Sequence, residues 1–71
     1  MDKQNFLALL QDTLQCEDAL EMEMRLVNIP EWDSMAAMAT MALADRRFGK
    51  QLKLAQFKKL ETVEELYALL V

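Results

Sequence analysis

The run Trp32, Asp33, Ser34, Met35 sets the chain's one serine directly after a carboxylate and an indole ring, at the head of a segment filled with Ala and Met. A hydroxyl in that position can cap a helix, or act as a nucleophile if a base activates it. The chain contains no histidine, which removes Ser-His and Cys-His activation and the commonest zinc ligand. Carboxylates are then the only groups able to act as bases near neutral pH. A self-sufficient enzyme is not expected, and the sequence offers no catalytic residue and no metal ligand. Cys16 is the single cysteine, so no internal disulfide can form. Its place at the end of an amphipathic stretch predicts a small core residue rather than a reactive thiol.

The elements that must hold Ser34 are helical, and an all-α fold is expected. From Asp2 to about Cys16, the residues Phe6, Leu7, Leu10 and Leu14 recur at helical spacing and leave Lys3, Gln4 and Gln11 outside. Near the C-terminus Val63, Leu66, Tyr67 and Leu70 repeat at i, i+3, i+4 and i+7. Thr62 with Glu65 there forms a T-x-x-E capping pattern, so the last helix starts near Thr62. Between Glu17 and Asp33 charges come without periodicity and Pro30 disfavours helix at Ile29, which predicts a long acidic connection pinned by Leu26, Val27 and Ile29. A second connection is anchored by Leu52 and Leu54, with Phe57 and Leu60 on the inner side of a short helical segment.

The segment led by Ser34 is the strongest helix in the chain by composition. Gly49 stands at the place of a left-handed C-terminal cap, and Arg46 and Arg47 suit the negative end of the dipole. At about 100° per residue, Ala37, Met41, Ala44 and Phe48 share one side, while Met35, Met38, Ala39 and Ala42 share nearly the opposite side. Both sides are apolar, and a chain of 71 residues is too short to wrap a helix completely. The side ending in Phe48 is expected to be buried, and the Met35 and Met38 side to remain open for a partner.

The residues 1 to 71 read as one soluble domain near the lower size limit for an unaided core. The first residues turn polar too soon for a signal or membrane-spanning segment, so a cytoplasmic protein without membrane insertion is expected. A net charge of −4 opposes association with nucleic acid. Residues 1 to 45 carry nine acids and two bases, and residues 46 to 71 three acids and six bases. The two halves therefore differ in sign, which is either a solvated surface or a means of steering different partners.

Trp32, Asp33, Ser34 and Met35 resemble the D-S-L motif of acyl carrier proteins, with Met in place of Leu. The likeness continues through the hydrophobic helix after the serine, the Phe48-Gly49 pair, a short third helix and the Thr62-Val63 start of the last helix. It spans almost the whole chain. The resemblance implies a small bundle of three main helices plus one short helix, with a long first loop. It also implies a non-catalytic carrier, itself the substrate of a phosphopantetheinyl transferase. Ser34 would be the attachment point of 4'-phosphopantetheine, and Asp33 would sit beside the transferase's metal and basic surface. The thiol of the arm would hold acyl or aminoacyl groups as thioesters, presented to loading and transferring enzymes by a monomer. Those enzymes would read Met35, Met38, Ala39, Ala42 and Arg46.

The chain departs from carriers of primary fatty acid synthesis, which usually line the outer side of this helix with Asp and Glu. Ala36, Ala39 and Arg46 are expected on that side here, and the acids gather in the preceding loop at Glu17, Asp18, Glu21, Glu23 and Glu31. A specialised pathway follows from that departure. Met after the serine also resembles D-alanyl carriers of cell-wall modification, so an aminoacyl cargo is an alternative. The rival from another class is an unmodified helical adaptor that grips a partner with the Met stripe while Ser34 only caps.

Overall fold

Asp2, Asp33 and Thr62 each stand immediately before a helix, and each accepts a hydrogen bond from a backbone N–H that the helix itself leaves unpaired. The bonds run from Asn5 N–H to Asp2 Oδ1 at 2.8 Å, from Ala36 N–H to Asp33 Oδ1 at 2.8 Å, and from Glu65 N–H to Thr62 Oγ1 at 3.2 Å. In the computed structural model, which describes residues 1 to 71, these caps open α1 (Lys3–Leu14), α2 (Ser34–Phe48) and α4 (Val63–Leu70). A short α3 (Leu54–Lys58) lies between the last two, and one 3-10 turn (Leu26–Asn28) interrupts the long first loop. The protein is a small all-helical bundle, as the periodicities predict.

α1 and α2 end where the backbone turns left-handed. Gly49 has φ 65°, and the N–H groups of Gly49 and Lys50 donate back to Asp45 O and Ala44 O at 3.2 and 3.1 Å. The end of α1 is made the same way by Gln15, a residue with a side chain, at φ 58°. That turn stops α1 at Leu14, two residues short of the expected Cys16. At α4 the Glu65 carboxylate accepts from Glu61 N–H at 3.1 Å, one residue before the cap rather than from Thr62 itself.

Fully buried Phe6, Leu10, Leu26, Phe57, Val63, Leu66 and Leu70 form the centre of the core. Phe6 meets Tyr67 edge-on at 5.1 Å, which joins α1 to α4. The first loop is tied down by backbone pairing: Leu26 N–H donates to Glu61 O at 2.8 Å, Val63 N–H to Met24 O at 3.0 Å and Glu64 N–H to Met22 O at 2.9 Å. The last two of these satisfy orphan donors at the start of α4, so loop and helix stabilise each other. Leu26 and Ile29 pin the loop as expected, joined by Leu20. Val27, expected as a third anchor, instead points to solvent because the 3-10 turn rotates it away from Leu26.

The buried side of α2 differs from the expected one. It consists of Ala36, Ala37, Thr40, Leu43 and Ala44, while Met41 and Phe48 are only half-buried. The stripe facing the core is thus rotated by roughly 70° from the line of Ala37, Met41, Ala44 and Phe48, at 100° per residue. Ala36, expected on the outer side, is buried. Three alanines and a threonine allow α2 to lie close to its neighbours, and the Thr40 hydroxyl is satisfied by donating to Ala36 O at 2.8 Å.

Candidate functional site at the head of α2

The approach to Ser34 is fixed from three directions. Ile29 is buried, and a turn over Pro30 and Glu31 closes with Trp32 N–H donating to Ile29 O at 3.0 Å. Glu31 reaches back to the end of α1, where its Oε1 accepts from the Cys16 thiol at 3.5 Å. Trp32 is half-buried against the core. Together these contacts leave the chain little choice about where α2 begins.

Cys16 sits half-buried at this seam, and its pKa is raised from 9.0 to about 11, first by burial and then by the Glu31 carboxylate, with Asp18 adding to it. The thiol therefore stays protonated near neutral pH, in keeping with a packing role.

Asp33 and Ser34 divide the work at the helix start. Asp33 supplies the cap through its 2.8 Å bond to Ala36 N–H. Ser34 is the first helical residue, is exposed, and its hydroxyl takes part in none of the side-chain hydrogen bonds. Met35 and Met38 follow at 79 % and 60 % exposure, values that rule out a gap-filling role in the core. Ala39, Ala42 and Arg46 are exposed with them, so the five expected partner-reading residues share one open side of α2.

Two depressions flank this ridge. On one side an open groove of about 380 Å³ runs between the end of α1 and α2, bounded by Thr13, Leu14, Gln15, Met35, Ala36 and Ala39. On the other a cleft of about 140 Å³ is lined by Ser34 and Lys58 together with Asp33, Trp32, Ala37, Leu54 and Phe57. Neither Lys58 nor the α1 side of the groove was legible as part of the site in sequence, because no spacing rule relates α3 or the end of α1 to residue 34. The buried Phe57 brings Lys58 there as its neighbour in the chain.

The site can present a primary hydroxyl on a rigid helix start beside a small, mostly apolar cleft, with an apolar strip next to it. No helix is long and apolar enough to cross a membrane. No family model, no curated protein and no solved structure matches the chain.

Proposed function

We propose that this protein is a carrier whose Ser34 accepts 4'-phosphopantetheine and which holds acyl or aminoacyl groups for partner enzymes. The observation that carries the reading is the division of labour between Asp33 and Ser34. Asp33 already caps α2, so the adaptor reading, in which Ser34 serves only as the cap, leaves the exposed hydroxyl unexplained.

The residues fit the group. Ser34 Oγ is open to an incoming phosphorus, and the helix start that carries it is held by Asp33, Glu31 and the turn from Ile29. In the attachment step Ser34 Oγ forms a bond to phosphorus of the coenzyme A pyrophosphate and gives its proton to a base of the transferase. Adenosine 3',5'-bisphosphate leaves, with the transferase's Mg2+ aligning the two reactants. When bound, the arm supplies a thiol that carries the cargo as a thioester. Asp33 keeps the serine fixed through its cap, and its second oxygen remains available to the transferase's basic surface.

Met35, Met38, Ala39 and Ala42 form the strip that partner enzymes grip, the unbranched Met side chains adapting to several surfaces. Arg46 sits at the far end of that strip, where carriers of general fatty acid synthesis present acid, and this favours a specialised pathway. The cleft of about 140 Å³ beside Ser34 suits a short cargo. We place the carrier in the cytoplasm, together with the coenzyme A that loads it. Incubating the protein with coenzyme A, Mg2+ and a broad-specificity transferase tests the reading. A mass gain of one phosphopantetheinyl group is expected, and an unchanged mass would favour the adaptor instead.

A further inference from the structure

The cleft beside Ser34 contains a positive charge that the fold does not use. Its walls are apolar, from Trp32, Ala37, Leu54 and Phe57, and its polar groups are Asp33, Ser34 and Lys58. The molecule's one ion pair joins Lys3 to Glu64 at 3.4 Å, so no carboxylate lies within 4.0 Å of the Lys58 ammonium, even though Asp33 lines the same cleft. Asp33 turns an oxygen to Ala36 N–H instead. Lys58 is the last residue of α3, and its neighbour Phe57, only 1 % exposed, fixes the backbone from which the lysine reaches the rim.

We infer that Lys58 is the counter-charge for a phosphodiester on Ser34, and that it draws the first atoms of the arm to the α3 side of the ridge, away from the groove beside α1. The inference rests on the carrier reading above. A phosphodiester carries one negative charge with several acceptor oxygens, and an ammonium on a flexible stem meets it as a point charge without needing a fixed geometry. Tethering to Ser34 keeps that anion next to the lysine at high effective concentration, so even a solvent-exposed pair forms for much of the time. The groove on the other side is lined by Glu31 and Asp33, whose charge repels the same anion. Asp33 borders both flanks, so they differ in having a second carboxylate, Glu31, on the α1 side and an offsetting ammonium, Lys58, on the α3 side, and the arm leaves on the side of the ammonium.

The test compares wild type, Lys58→Met and Lys58→Arg, each driven to complete modification as judged by intact mass, then melted beside its own unmodified form at low salt and at about 1 M salt, where the screening length is about 3 Å. Using each variant as its own reference removes any effect of the substitution on the fold. Wild type is expected to gain about 1 to 4 °C on modification at low salt. Lys58→Arg should keep that gain, Lys58→Met should lose most of it, and high salt should bring wild type down to the Lys58→Met value. In the modified wild type, a nuclear Overhauser cross-peak should link the Lys58 Hε protons to the arm methylene next to the phosphate. Equal gains in wild type and Lys58→Met at low salt, with modification complete, would overturn the role of Lys58 and leave the carrier reading standing. Failure of wild type to gain mass would overturn both.

Discussion

α2 and α4 pack against the same core but finish their outer sides differently. In α4 the inner residues Val63, Leu66 and Leu70 are fully buried, and the outer side carries Glu64, Glu65 and Ala68. In α2 the inner residues other than Leu43 are small, and the outer side carries Met35, Met38, Ala39 and Ala42. α4 shows that this fold is content with charge on an outer surface. The apolar strip on α2 is therefore not a demand of packing, and it begins beside a serine that the fold does not use either. The difference separates a helix with a charged outer side from one whose outer side beside the serine stays apolar and open.

The largest effect that checks this contrast is in α4. Leu66→Ala should cost about 2 to 5 kcal/mol, while Met38→Ala should stay within about 0.5 kcal/mol of wild type, both read by thermal or denaturant unfolding. Comparable losses would mean that the outer Met strip is structural after all. The seam leading into α2 makes a kinetic prediction of nearly the same size. With its pKa raised from 9.0 to about 11, Cys16 should react with iodoacetamide at pH 8 about a hundredfold more slowly in the native protein than in denaturant, through loss of thiolate alone. Similar rates would show that the thiol is not held against Glu31.

Smaller effects separate the caps. Asp33→Ala should lower stability by about 0.5 to 2 kcal/mol, since it leaves Ala36 N–H without its acceptor. Gly49→Ala should cost about 1 to 2 kcal/mol from the left-handed backbone alone, because an added Cβ at Gly49 meets no atom within 4 Å. Gln15→Gly should do the reverse at the end of α1, raising stability by about 0.5 to 1 kcal/mol through relief of the φ 58° conformation. Unfolding curves of the two glycine variants that shift in the same direction would contradict the shared cap geometry.

The sequence made the helices legible because their caps are local. Asp2, Asp33 and Thr62 each act on a donor three residues on, and Gly49 ends α2 within its own neighbourhood. The face of α2 was legible only in part. Ala, Met and Leu surround that helix, so periodicity alone could not choose the buried arc. Phe48 drew the expectation toward itself by size, whereas close approach to neighbouring helices selects the small residues Ala36, Ala37, Thr40 and Ala44. Phe57, expected on the inner side of its segment, is 1 % exposed, whereas Phe48 is only half-buried. The pairing of Met22, Met24 and Leu26 with the start of α4 joins segments about forty residues apart, and no local pattern announces it. Ser34 and Asp33 were visible as a pair, but only the bond to Ala36 N–H shows which of them is the cap.

The central claim is that Ser34 is a modification site the fold can do without, and one mass measurement tests it most directly. Wild type and Ser34→Ala are incubated with coenzyme A, Mg2+ and a broad-specificity transferase, and the products are weighed intact and fragmented to locate any added group. Because Asp33 retains the cap and Ala is well tolerated in the first turn of a helix, Ser34→Ala should melt with wild type, so a failure to react cannot be ascribed to unfolding. Wild type should gain one phosphopantetheinyl group, located on Ser34, and Ser34→Ala should gain none. An unmodified wild type, or a group that still attaches to Ser34→Ala, would contradict the claim.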